Sequence, residues 1–261
     1  MSRGCPWSSV GVELEADCSR CSGLCCVAPS FAASADFAID KPARTPCLNL
    51  AVSVPGAAAP CTIHASLPER GFPGCVTFDC FGAGQRVTAW ADWRSGASSA
   101  DEAYAAFDVV RALHEVLWYL AEPVDALAAE RAALALRVEA LGVDADVGAV
   151  RGEAGELLGR VSSLVRGGAA RSMARADLVG KDLRRRGLVD VSLRGALLMG
   201  ADLRGVDLGR ADLLGADLRG ADLRGASLEG VLFLTNPQVT SARGDASTGL
   251  PGRVHRPSSW G

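Results

Sequence analysis

Nine cysteines fall within the first 80 residues of a 261-residue chain, and theirs is the spacing that most readily supports chemistry. Cys18, Cys21, Cys25 and Cys26 form a dense knuckle, C-x2-C-x3-C-C, and Cys47, Cys61, Cys75 and Cys80 follow at wider intervals. Thiolates crowded in this way usually hold a metal ion in a reducing compartment. Setting Cys5 aside, the other eight suffice for two four-thiolate sites, and one site with several spare thiols is equally allowed. His64 stands at C-x-x-H spacing from Cys61, so three thiolates and an imidazole are a further ligand set. Zinc is the expected cofactor, with an iron–sulfur cluster, which also takes four thiolates, as the alternative. The plain reading is free or incidentally oxidised thiols. It is weakened by the clustering and by the poor core-forming power of residues 1–90.

Other candidates carry less. The chain has no Ser-His-Asp, H-E-x-x-H or P-loop pattern, and Gly82-x-Gly84 is too short for a phosphate loop. His114 lies on an apolar helical stripe between Phe107 and Trp118, which reads as a buried, hydrogen-bonded structural histidine. His255 has no supporting constellation. No catalytic residue is assigned, and an enzyme is not expected. Met1–Val10 has no apolar run behind a basic start, and no stretch approaches the ~18 apolar residues of a membrane span. The expectation is a cytoplasmic protein without a membrane segment, whose thiols stay reduced.

The knuckle resembles cysteine-cluster domains that chelate zinc or iron, which carry C-x(2-3)-C-x(2-3)-C-C. That resemblance covers under a tenth of the chain.

The elements that must position these groups fall into distinct textures. Apolar residues make up 49% of the chain but aromatics only 5%, so the interior is Ala, Val and Leu and suits a thin or repetitive core. Residues 1–98 are rich in Pro, Gly, Ala and Ser and read as a loop-rich, Cys-rich, metal-binding region. Ser99-Ala100-Asp101-Glu102 is a capping box. Beyond it, Tyr104, Phe107, Val110, Leu113 and Leu117 keep helical spacing until Pro123 stops the run. Two further amphipathic runs predict about three helices over 99–170. Residues 101–170 carry 6 basic and 12 acidic groups, whereas residues 171–261 carry 14 and 10.

Residues 176–235 repeat every five. Leu178, Leu183, Leu188 and so on to Leu228, then Phe233, occupy the centres of twelve pentads. A small residue such as Ala196 or Ala201 sits two before the centre, Asp usually one before, and Gly usually two after. A period of five fits neither 3.6 nor 2.0 residues, so the backbone must turn a corner every pentad. Gly supplies the corner's unusual angles, and Asp is expected to face water. Lys181 and Arg186 stand in the small inward slot, which predicts an irregular first coil with both side chains turned out. Thr235-Asn236-Pro237-Gln238 predicts a short helix through Arg243, and 236–261 is read as the C-terminal cap and tail.

This register resembles the pentapeptide-repeat family, A-[DN]-L-x-x. The resemblance implies a mainly β solenoid, a right-handed quadrilateral β-helix of about three coils over 171–235. It also implies a non-catalytic protein–protein interaction scaffold, here with a metal-stabilised head. The alternative is a metal- or redox-responsive protein or metalloenzyme acting through the cysteines. Some family members protect DNA gyrase by imitating DNA. Residues 171–235 carry 11 basic and 9 acidic groups, which argues against a polyanionic mimic. The same mixture of signs argues against nucleic acid as a partner. The protein partner is not identified by the sequence, and a homodimer is allowed.

Overall fold

A computed structural model describes residues 12–51, 57–91, 98–168 and 171–261. Cys5 and the N-terminal stretch read above as lacking an export signal lie outside the described residues. Two compact units emerge: Met1–Ala121 with Ala129–Gly155, and Glu122–Ala128 with Glu156–Gly261.

The first unit is built around helices. In chain order these are α1 (Leu24–Val27), α2 (Pro73–Val76), α3 (Ala83–Trp90), α4 (Ala100–Leu120) and α5 (Ala128–Glu139). The next, α6 (Val147–Val165), runs on from the first unit into the second. The capping box forms: Glu102 N–H donates to Ser99 Oγ at 3.1 Å, and Ser99 N–H donates to Glu102 Oε2 at 2.7 Å. Two of the amide donors at the start of α4 are thereby satisfied. The apolar stripe of α4 is buried, with Ala103, Phe107 and Val110 packing on Leu24, Ala83 and Val87. Ala83 and Ala103 leave no side-chain bulk between α3 and α4, so the helices approach closely. At the other end, the buried Arg131 of α5 donates to the Leu120 carbonyl at 2.8 Å, satisfying a terminal acceptor of α4. Before α2 the chain is mostly turns, with two antiparallel bridges, Phe31 to Lys41 and Leu50 to Cys61. Phe31 stacks on Phe37 with ring centroids 4.3 Å apart.

The second unit is a ladder of parallel bridges between residues twenty apart, four pentads along the chain. Asp177 pairs with Leu197, Leu197 with Asp217, Asp182 with Asp202, and Asp202 with Asp222. The pentad centres and the small residues two before them face inward. Leu188, Leu193, Ala196, Leu198 and Ala201 are all fully buried. Each corner closes with a turn such as Ala196 N–H to the Leu193 carbonyl at 2.9 Å. At most corners the residue two after the centre takes a left-handed backbone, as at Gly200 (φ 63°) and Gly215 (φ 66°). Arg175 and Asp190 hold that conformation without glycine (φ 59° and 57°). Arg175 lies before the predicted start of the repeat, and Ser172 already bridges Ser192, so the ladder begins earlier than the sequence pattern does.

Four expectations need correction. The chain is not mainly β: among the described residues the regular elements are helices, and the ladder consists of isolated bridges. A strand cannot extend when the chain turns every five residues. The first coil is irregular on one side only, where Asp190 N–H donates to the Leu208 carbonyl at 3.2 Å, while the bridges from Ser172, Asp177 and Asp182 keep register. Lys181 and Arg186 are exposed there, as expected. The terminal helix α7 (Asn236–Thr240) stops short of Arg243. Arg243 instead bridges Asp222, and Gly249 bridges Ser227, so the tail extends the ladder. The pentad Asp side chains do not merely face water: they accept from the backbone two residues on, as Asp202 does from Arg204, and Asp212 is buried.

Candidate functional site

The thiols of the first unit gather in two neighbourhoods that meet at Cys25 and Cys26. Consecutive residues on the short helix α1 point to different sides. Cys25 joins Cys21 and Cys80 against the core of α1, α3 and α4. Gly84 makes room for this group, since a Cβ there would lie 2.7 Å from Cys21 Sγ and 3.8 Å from Cys80 Sγ. Cys18 belongs with them: burial pushes its thiol up, and charges on Cys21 and Cys80 push it further. On the other side, Cys47 N–H donates to the Cys26 carbonyl at 2.9 Å, and Leu50 N–H donates to the Cys47 carbonyl at 2.9 Å. The bridge from Leu50 brings in Cys61. Cys75, on α2, has its thiol pushed up to about 11, first by burial and then by charges on Cys26, Cys47 and Cys61.

At the seam, Cys25 and Cys26 Sγ are 3.9 Å apart. Their hydrogen bond raises Cys25 and lowers Cys26, so Cys25 keeps the proton and Cys26 is the more acidic thiol. A further cause acting on Cys26 is Lys41, whose charge favours the thiolate. Lys41 is buried, and its Nζ donates to the carbonyls of Val27, Pro42 and Thr45 at 2.9, 3.1 and 2.9 Å. Burial lowers its own pKa, and Cys47 and Cys26 oppose that shift. Nothing in the cysteine spacing points to Lys41; only the fold brings it there.

His64 is exposed in the 3-10 turn His64–Ser66. Among the described residues no group of three or more His, Cys, Asp or Glu side chains converges to hold a metal ion. The donor chemistry of these thiols suits a thiophilic ion. Most of these thiols are held protonated by burial, so an ion would have to displace protons as it drew the sulfurs together.

The surface of the second unit is ordered by aspartate. Each pentad Asp accepts from the backbone N–H two residues on, as in Asp202 to Arg204 at 3.2 Å and Asp212 to Leu214 at 2.9 Å. The same carboxylates then grip arginine. Asp202 accepts from Arg204 Nε and Nη2 at 2.9 and 2.6 Å, and Asp182 and Asp222 take Arg184 and Arg224 in the same way. Neighbouring rungs interlock, with Arg184 Nε 3.3 Å from Asp202 and Arg204 Nε 3.7 Å from Asp222. The Arg204 side chain beside Asp202 holds its carboxyl well below the usual range, and Arg184 beside Asp182 brings that carboxyl down to about 2. On another side, Val179 and Leu197 are 43% and 41% exposed in the first rungs, between Asp177 and the Asp217–Arg219 pair, whereas Val189, 51% exposed, stands two pentads away against Gly209. The carbonyl of Met199 accepts from Gly180 N–H at 2.8 Å, which stacks this residue beside Val179.

The tail closes the last rungs. Gln238 Nε2 donates to the Leu213 and Ala216 carbonyls at 2.8 and 2.9 Å. Glu122, buried within this unit, accepts from Phe233 N–H at 3.0 Å and from Arg253 at 2.6 Å. No helix among the described residues is long and apolar enough to cross a membrane.

The family model for pentapeptide repeats matches residues 196–233 in eight copies. The chain is similar to the uncharacterized protein YybG of Bacillus subtilis (strain 168), 43% identical over 274 residues, covering 97% of this chain and 96% of that protein. Among solved structures it is similar to a pentapeptide-repeat protein of the Arabidopsis thaliana thylakoid lumen (30% identity, 33% of this chain and 55% of that one, TM-score 0.23). It is also similar to the pentapeptide-repeat protein Rfr23 from the cyanobacterium Cyanothece 51142 (32% identity, 34% and 48%, TM-score 0.19). The chain thus spans about half the length of these two solved proteins. The pentads, the twenty-residue register of the bridges and the relative matched along nearly its full length place this chain in the pentapeptide-repeat family.

Proposed function

We propose that the chain is a non-catalytic scaffold that binds a protein partner through its pentapeptide-repeat rod, a right-handed quadrilateral β-helix of about three coils in the pentad register. The observation that carries this reading is the contrast between sides. Where Asp–Arg pairs satisfy one another, the surface has little left to offer a partner. Where Val179 and Leu197 stand in place of arginine and aspartate, apolar area is left uncovered on a rigid frame. The partner's complementary surface is apolar, and binding occurs in the reducing interior of the cell. The test is affinity capture from native extract with the wild type beside the variant Val179→Glu/Leu197→Glu. A protein retained by the wild type and lost by the variant supports the reading. Identical captures, or none, remove it.

The head is read as a metal-stabilised region, with zinc the first candidate and an iron–sulfur cluster the second. The support is the gathering of Cys18, Cys21, Cys25 and Cys80, and of Cys26, Cys47, Cys61 and Cys75. Elemental analysis of anaerobically purified protein decides: one or two zinc per chain supports a structural head, and iron with visible absorption supports a cluster. The absence of both leaves the second reading, a redox-responsive head. That reading is favoured by the hydrogen-bonded pair Cys25 and Cys26 beside Lys41.

A further inference from the structure

The first unit also contains a cavity of about 310 Å³ that is independent of the cysteines. Its walls come from α3, α4, α5 and the turn after α5, and most are apolar: Trp90, Leu113, Val138, Leu141 and Val143. Charge enters only through Arg86 and Asp144, with the buried His114 beside them.

The two charges are disposed differently. Arg86 is half-buried, and its Nη1 is 3.2 Å from His114 Nε2 while its Nη2 donates to the Glu139 carbonyl at 3.3 Å. His114 Nδ1 is 2.6 Å from the Phe81 carbonyl, which can only accept, so Nδ1 carries the proton. Nε2 is then an acceptor for Arg86, and the ring is neutral. Both acceptors on Arg86 are therefore uncharged, and no carboxylate of the described residues lies within ion-pair distance of its guanidinium. A guanidinium facing an apolar cavity without a counter-charge is costly, and an anion that enters offsets that cost. Asp144 is exposed at the mouth, as is Trp90 (51%). A second negative charge on the ligand would meet Asp144.

We propose that this cavity binds a small monoanion with an apolar body, a carboxylate on a short hydrocarbon chain, whose carboxylate meets Arg86 and whose chain lies along Trp90, Leu141 and Val143. The volume is at the lower end of the range of ligand pockets, about 300–1,000 Å³, which suits a ligand of this size. The charge pattern, one cation within and one anion at the mouth, selects a single negative charge.

The test is calorimetric titration of the full chain with three eight-carbon probes: octanoate, 1-octanol and octanedioate. Octanoate is expected to bind at least about tenfold more tightly than either of the others, the margin one charge-assisted contact supplies. In Arg86→Met, octanoate is expected to fall to the level of octanol, with octanol unchanged. Equal affinity for octanoate and octanol in the wild type overturns the proposal, as does a failure of octanoate to bind saturably. Octanedioate as tight as octanoate overturns the assignment of a monoanion. Should Arg86→Met fail to fold, the three-probe series on the wild type decides.

Discussion

His114 shows what a buried titratable residue contributes at the scale of one side chain. Burial lowers its pKa to about 4; the Phe81 hydrogen bond opposes this and the Arg86 charge adds to it. The folded pKa lies below the unfolded value of about 6.5, so the unfolded chain binds more protons between these values. The stabilisation is complete above pH ~6.5 and is lost as pH falls through about 4, with a total on the order of 3 kcal/mol. Thermal melts from pH 7 to pH 4.5 are expected to show a falling Tm in the wild type and a flatter profile in His114→Gln. A parallel fall in both would assign the effect elsewhere. The role of His114 as a buried structural histidine was legible from its place on the apolar stripe. Its partner Arg86 was not, because 28 residues separate the two and only the packing of α3 on α4 brings them together. Lys41 was illegible for the same reason. The pentad Asp residues illustrate a different gap. Their position was plain in the repeat, but a carboxylate one residue before an inward Leu reads as solvated until the turn it closes is seen.

At the scale of the element, glycine is informative where a second group occupies its missing side chain. Gly244 lies against Trp260, and a Cβ there would come within 2.4 Å of the indole. Trp260 is buried and packs down the tail. Gly244→Ala is expected to expel this ring, at a cost of about 1–3 kcal/mol. Near-ultraviolet circular dichroism should lose aromatic signal while far-ultraviolet bands stay, and an unchanged spectrum would show that the tail tolerates the methyl group. Helix boundaries were legible where a capping box and a proline bracket the run, as for α4. The end of α7 was not, because the backbone of Arg243 is held by Ala221 and Leu223, one rung below.

At the scale of the whole molecule, a ladder must end without offering its last open edge. Residues 236–261 do this with Gln238, Arg243 and Gly249, each hydrogen-bonded or bridged to the rung below. Removing them would expose the backbone groups of Leu223 and Leu228, whose N–H groups donate to the Arg243 and Gly249 carbonyls at 2.7 and 2.9 Å. A chain ending at Thr235 is expected to self-associate, and multi-angle light scattering should show species larger than the full-length protein at equal concentration. A monodisperse truncated chain of unchanged oligomeric state would show that the edge is protected some other way.

The interlocked arginines and aspartates of successive rungs have one more effect, on the speed of encounter. Asp182, Arg184, Asp202, Arg204, Asp222 and Arg224 alternate in sign over distances of a few ångströms, so their fields cancel within less than a screening length of the surface. A partner diffusing towards that side feels no pull from these six groups until it nearly touches. Association at Val179 and Leu197 therefore gains no steering from these pairs and is expected to proceed at the unsteered rate of about 10⁵–10⁶ M⁻¹s⁻¹ and to change little between 20 and 300 mM salt. A steep dependence on ionic strength in stopped-flow measurements would place the encounter on another part of the chain.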